Sequence, residues 1–193
     1  MVEYYNRNAQ EFFDGTISVN MLPLYEKFTP LLPEAGSIID AGCGSGRDSK
    51  FFAEQGFHVT AFDASASLVE LAKVHTKLPV IHSTFLNFEA KEKSVDGIWA
   101  CASLLHVPQA ELNQTFIHLA KFLKEGGLFY CSFKYGDNEI ERDGRCFTNV
   151  DEVSLPRYLE ISNLDIKEHW ITSDLRPGRE NEKWLNAILV KSA

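Results

Sequence analysis

Three glycines behind an acid, Asp40-Ala41-Gly42-Cys43-Gly44-Ser45-Gly46-Arg47, constrain this chain more than any other stretch. They follow a β-branched run, Ser37–Ala41, and precede a run with helical spacing, Arg47–Gln55, that stops at Gly56. Glycine lets the backbone turn tightly and approach a ligand closely, and the first turn of the next helix offers N–H groups without intrahelical partners. In α/β folds built from such units, ligands lie beyond the carboxyl ends of parallel strands. The next strand-like run, Phe57–Phe62, ends at a second acid, Asp63, about 20 residues on, where such folds set a carboxylate against the ribose hydroxyls of a nucleoside. A carboxylate suits a vicinal diol because each of its oxygens can accept a hydrogen bond.

The alternation continues along the chain. Ser65–His75 carries Leu68, Leu71 and Ala72 on one helical face, and Pro79–His82 and Val95–Ala100 read as short strands. Pro108 opens a helix to Leu123, with Leu112, Phe116, Leu119 and Leu123 at helical spacing and Gly126-Gly127 as its stop. Leu128–Phe133 is a strand, Asp151–Ser162 a helix, and Ile166–Ile171 and Trp184–Lys191 two closing strands. The pattern predicts an α/β, Rossmann-like doubly wound sheet of seven strands, mostly parallel. The last connection, Thr172–Lys183, holds Pro177-Gly178 and no helical periodicity, so the final strand is expected to return as an antiparallel hairpin strand. Residues 1–35 read as one or two helices outside the alternation, a cover over a core at 36–193 within a single domain.

Composition narrows the function. A chain of 193 residues, 45% hydrophobic and 24% charged, can bury a core without a disulfide or a metal. The net charge is −8, the pI is about 5.2, and Lys and Arg are mixed among the acids, which argues against nucleic acid or an anionic membrane as partner. Cys43, Cys101, Cys131 and Cys146 lie far apart and read as reduced thiols, and no His, Cys and carboxylate grouping has metal-ligand spacing. The longest nearly apolar run, Ile98–Val107, is half a bilayer span, and Met1–Gly15 lacks a signal pattern. A soluble cytoplasmic protein is expected, monomeric or homodimeric.

The glycine spacing separates two cofactor classes. The dinucleotide fingerprint is Gly-x-Gly-x-x-Gly, whereas here the third glycine comes one position early and Arg47 stands where that fingerprint ends. The ordered set of Asp40-x-Gly42-Cys43-Gly44-x-Gly46, Asp63 after the second strand, Val95-Asp96-Gly97-Ile98, and Leu123-Lys124-Glu125-Gly126-Gly127 before the fifth strand resembles the class I S-adenosylmethionine (SAM) dependent methyltransferases. The resemblance runs from Tyr4 to Phe133, and Gly46-Arg47-Asp48-Ser49 further resembles the branch holding the tellurite-resistance and thiopurine methyltransferases. It implies SAM as cofactor and S-adenosylhomocysteine (SAH) as product. Gly42 and Gly44 would then line the methionine portion, with Cys43 and Gly46 in the same loop. Asp40 would face the amino-acid end, and Asp63 with Ala64 the ribose. Thr84 and Phe85 would flank the adenine, where the acid common in this family is missing, and Tyr5, with Tyr4 and Phe12, would cover the cofactor.

The topology rule also assigns a rim for a second reactant. His106, just past the fourth strand, is the candidate catalytic base if the acceptor must lose a proton. Lys134, Tyr135, Arg145, Arg176, Arg179 and Trp184 converge on the same side as candidate substrate residues. Arginine binds carboxylates and oxyanions in bidentate fashion, which points to an anionic small-molecule acceptor. The competing expectation is that these arginines pair with Asp143, Asp174 and Glu180. Two other functions fit parts of the pattern: an NAD-type oxidoreductase, and a SAM-binding module without turnover.

Overall fold

Two consecutive isoleucines show how the sheet is covered. Ile38 and Ile39 are both fully buried, yet they belong to different core clusters, because successive side chains on a strand leave by opposite faces. The same alternation divides Trp99 from Ile98 and Tyr130 from Phe129. A sheet buried on both faces needs continuous apolar strands, as these are. The computed structural model describes residues 1–192.

In chain order the elements are α1 (Val2–Arg7), α2 (Ala9–Thr16), α3 (Leu22–Phe28), β1 (Ser37–Ala41), α4 (Arg47–Glu54), β2 (His58–Asp63), α5 (Ala66–Thr76) and β3 (Val80–His82). Then follow β4 (Val95–Ala100), α6 (Gln109–Ala120), β5 (Leu123–Lys134), β6 (Glu139–Arg142), β7 (Arg145–Thr148), α7 (Leu155–Tyr158), β8 (Leu164–Ser173) and β9 (Lys183–Lys191). Seven strands form one sheet in the order β3-β2-β1-β4-β5-β9-β8. The first five are parallel, and β9 runs antiparallel to both of its neighbours, as the sequence predicts for the returning strand. The strand order reverses between β1 and β4, which opens a crevice at their carboxyl ends.

Four departures from the sequence reading have local causes. The N-terminal cover holds three helices rather than one or two, since Asn8 breaks α1 from α2 and its side-chain amide bonds the Tyr4 carbonyl at 2.8 Å. α6 ends at Ala120, not Leu123, because Leu123 already pairs with Val95, and the register then jumps to Gly97 opposite Leu128. α7 keeps only one turn of the expected Asp151–Ser162 helix. Asp151 takes the N–H groups of Val153 and Ser154 at 3.1 and 2.7 Å, which favours a turn, and Ile161 adopts a positive φ of 55°. The fourth departure is an added two-stranded hairpin, β6–β7, turned at Asp143 and Gly144 with φ of 54° and 68°. Two positive φ values fit the type I′ turn that an Asp-Gly pair favours.

Candidate active site

The glycine loop is shaped by what presses on it. Gly42 has a φ of 75°, and a Cβ there would lie 2.6 Å from the Ser103 Cβ. Ser103 cannot retreat freely, because its hydroxyl donates to the Ala41 carbonyl at 2.7 Å and so ties the loop after β4 to the end of β1. Gly44 faces Phe12 of the N-terminal cover, where a Cβ would stand 3.0 Å from the ring. The loop is then locked to β2: Asp63 accepts the Gly44 N–H at 2.9 Å on one oxygen and the Ser65 N–H at 2.8 Å on the other. Each oxygen keeps a further lone pair for a ligand. Burial raises the Asp63 carboxyl above its ordinary pKa, against the pull of those backbone N–H groups.

A cleft with a cavity volume of about 130 Å³, open to solvent at its mouth, lies above this floor. Gly42, Gly44, Asp63, Ala64, Thr84, Phe85 and Tyr5 all line it, together with Ser83 and Phe12. The cover is fastened from the other side, where Ser65 caps α5 through the Leu68 N–H and donates its hydroxyl to the Asn6 side chain at 2.7 Å. Asn6 carries no sequence signal that could have found it.

Three expected site residues stand elsewhere. Asp40 lines neither this cleft nor the second cavity described below: it is 2% exposed and takes the Ser49 hydroxyl at 2.5 Å. Burial, and then the neighbouring Asp48 charge, push its carboxyl well above the ordinary range, and it sits beneath the loop. Gly46 is the N-cap of α4, and its φ of 78° and a Cβ clash of 2.7 Å with Thr76 make it a packing glycine against α5. Tyr135 is 38% exposed and lines neither cavity, because alternation past β5 turns Lys134 inward and its successor out. Cys43 lines the second cavity described below, and burial raises its thiol well above the usual range.

That second cavity, open to solvent and about 650 Å³ in volume, lies between the cover, the β6–β7 hairpin and the β8–β9 turn. Lys134, Arg145, Arg176, Arg179 and Trp184 line it. Tyr5, Phe12, Gly42, Gly44, Ala102 and His106 line both cavities and so form their junction. Ala102 holds a positive φ of 50° there, a conformation costly for a residue with a Cβ, and its N–H is held by Ser132 Oγ at 2.8 Å.

His106 is clamped on both nitrogens. Nδ1 lies 2.8 Å from the Cys146 carbonyl, which can only accept, so Nδ1 carries the proton. Nε2 lies 2.6 Å from the Tyr5 hydroxyl, which donates to it. Burial lowers the imidazole pKa to about 4 against the opposing bond to Cys146, so the ring is neutral at ordinary pH. Burial also raises the Tyr5 phenol, with Arg145 beside it pulling the other way. The Tyr5–His106 bond spans 101 positions and joins the cover to the loop after β4.

Most cationic groups of the second cavity have acids. Arg176 makes bonds of 2.9 and 2.5 Å to Asp174, which also accepts the Trp184 indole N–H at 3.1 Å. Lys134 meets Glu182 at 2.9 Å. Arg47 grips Asp48 at 2.6 Å, and Asp48 further takes the Tyr25 hydroxyl and the Trp99 indole at 2.5 and 2.8 Å. Burial alone would raise Asp48, but Arg47 and these donors hold its carboxyl below the usual range. Among the described residues no His, Cys and carboxylate cluster could hold a metal ion, and no helix is long and apolar enough to cross a membrane.

Comparison with known proteins agrees with this geometry. A family model described as a methyltransferase domain matches residues 38–127. Bacillus subtilis YqeM, named as a methyltransferase, is 30% identical over 148 residues, which is 64% of this chain and 59% of that protein. A ubiquinone biosynthesis O-methyltransferase of Rickettsia conorii is 30% identical over 111 residues, 55% of this chain and 38% of that one. The chain thus spans well under two thirds of the curated relatives it matches. Among solved structures, a 1,6-didemethyltoxoflavin N1-methyltransferase of Burkholderia thailandensis, determined with 1,6-didemethyltoxoflavin and SAH, superposes with a TM-score of 0.80 at 18% identity, covering 99% of this chain and 85% of that one. Residues 38–127 carry the methyltransferase-domain pattern, and the whole chain is similar in fold to a SAM-dependent methyltransferase.

Proposed function

We propose that this protein transfers a methyl group from SAM to a small-molecule acceptor. The observation that carries the reading is the pair of cavities that meet at Tyr5, His106, Gly42, Gly44 and Ala102. One holds a glycine cradle and a carboxylate suited to a ribose diol; the other is a roomy polar and aromatic chamber. SAM would lie in the first, with Asp63 on the ribose, Thr84 and Phe85 beside the adenine, and Tyr5 and Phe12 above. Bound there, it supplies a methyl group already activated on a sulfonium.

The chain then has mainly to orient the acceptor and shed water. His106 Nε2 is unprotonated and faces the junction through Tyr5, so the pair can draw a proton from an acceptor hydroxyl or amine. Among the rim cations Arg145, whose Nε has no acceptor, favours an acceptor with negative charge. Gly46-Arg47-Asp48-Ser49 supports the tellurite-resistance and thiopurine branch, although Arg47 and Asp48 here serve a buried network with Tyr25 and Trp99.

Calorimetric titration with SAH, and with NADH in parallel, tests the cofactor. Binding of SAH alone is expected, and binding of NADH alone refutes the reading. His106→Ala should keep SAH affinity while slowing methyl transfer, read with labelled SAM over an acceptor panel.

A further inference from the structure

Six cations line the second cavity, and each has an acid within 4 Å. Arg47 has Asp48, Lys134 has Glu182, Arg176 has Asp174, Arg179 lies 3.7 Å from Glu182, and Arg142 lies 3.6 Å from Asp143. Arg145 differs in its burial: its side chain is 15% exposed, against 66% for Arg142, and its one carboxylate contact is 3.4 Å from Nη2 to the exposed Asp143, which Arg142 shares. Its Nε is buried with no partner. A buried guanidinium N–H without an acceptor is costly, so the side chain gains by turning that N–H toward a ligand oxygen in the cavity. The guanidinium lies 3.9 Å from the centre of the Tyr4 ring and 5.1 Å from that of Phe147, so its plane is held between the cover and the hairpin.

The position of Arg145 adds to this. Its neighbour Cys146 holds His106 Nδ1, and Tyr4's neighbour Tyr5 bonds His106 Nε2. The under-satisfied cation is therefore one residue removed, on both chain segments, from the pair at the cavity junction. Tyr4, Tyr5, Phe12, Phe147 and Trp184 give the chamber aromatic walls, which suit a flat ring. The acids paired with the other cations would repel a polyphosphate, so the free capacity is that of a single carboxylate.

We infer that the acceptor is an aromatic carboxylate whose anionic group seats on Arg145, with its methyl-accepting atom beside the Tyr5–His106 pair. This rests on the methyl-transfer reading and names its substrate class.

Salicylate and salicylamide, which differ in charge far more than in shape, make the test, with pyrophosphate as the polyanion. Each is titrated into the protein saturated with SAH, and again without SAH. Salicylate is expected to bind about tenfold or more tighter than salicylamide, as charge-assisted bonds imply, and pyrophosphate should not displace it. Arg145→Gln should abolish the preference while leaving SAH affinity intact, and Arg145→Lys should keep part of it. Equal binding of the two probes, no binding of either at millimolar concentration, displacement by pyrophosphate, or a preference that survives Arg145→Gln overturns the inference. The two-probe comparison on the unaltered protein stands even if a variant does not fold. SAH binding without carboxylate preference sinks the seat alone, whereas failure to bind SAH sinks the methyl-transfer reading itself.

Discussion

Asp63→Asn separates a ribose-binding carboxylate from a carboxylate that only braces a loop. Asp63 takes backbone N–H groups on both oxygens, from Gly44 at 2.9 Å and Ser65 at 2.8 Å. The amide replaces one acceptor by a donor, so one of those N–H groups loses its partner, at about 1–3 kcal/mol. An opposing effect acts in the folded protein without ligand. Burial raises the Asp63 pKa, which means that its charge is held there at a cost, and the neutral amide removes that cost. The two changes offset each other in the free protein. In the complex two losses add: charge-assisted bonds to the ribose become neutral ones, and the Gly44 side of the cradle loosens.

The expected outcome is therefore asymmetric. Stability should change by only about 1 kcal/mol, read by urea unfolding, while SAH affinity should fall roughly 10- to 100-fold, read by calorimetry. The pH dependence adds an independent readout. A raised pKa brings protonation of Asp63 closer to neutrality, so SAH affinity of the unaltered protein should weaken as pH falls toward it, and that decline should vanish in Asp63→Asn. An affinity within about threefold of the original would refute the ribose assignment, since one lost charge-assisted bond alone exceeds that. A large loss of stability with unchanged affinity would make Asp63 a loop brace.

Gly42→Ala should both destabilise the protein and abolish SAH binding, since its Cβ would lie 2.6 Å from a pinned Ser103 at a φ of 75°; unfolding should register about 1–3 kcal/mol. His106 has a folded pKa depressed from 6.5 to about 4, so between those values the unfolded chain binds a proton that the folded one refuses. Stability should thus be complete above pH 6.5 and fall as pH drops toward 4, by at most about 3 kcal/mol. The difference in pH slope between the unaltered protein and His106→Gln measures that share, and parallel slopes would place the ring in solvent.

The lining of the first cavity was legible because its signals are local. Gly42, Gly44 and Asp63 stand at strand ends that short apolar runs define, and the strand–loop–helix order forces them to one side of the sheet. Asp40 shows the limit of that logic. An acid at the end of β1 can face a ligand or turn under the loop, and the choice depends on Ser49 and Asp48 one helical turn away, whose burial no spacing reveals. Gly46 is similar: its positive φ serves the start of α4 and close packing on Thr76, and a glycine required by packing reads the same as one required by a ligand.

The second cavity was illegible for a different reason, namely that its decisive contacts join segments with no shared pattern. The β6–β7 hairpin did leave a trace, since Asp143-Gly144 is a turn signal flanked by strand formers. Its strands carry Glu139, Glu141, Arg142 and an Ile140 that is 40% exposed, so no apolar alternation marked them as sheet. Once that hairpin exists, it does two things at once. The Cys146 carbonyl fixes the His106 tautomer, and Arg145 is drawn between Tyr4 and Phe147 with Nε unsatisfied. A histidine, a tyrosine and an arginine at positions 106, 5 and 145 acquire a joint role only through tertiary structure. The charge count misleads in the same way, because six cations around one chamber suggest a strong anion site until pairing leaves a single under-satisfied guanidinium. The number of arginines around the chamber therefore says less about its free capacity than the one buried guanidinium whose Nε has no acceptor.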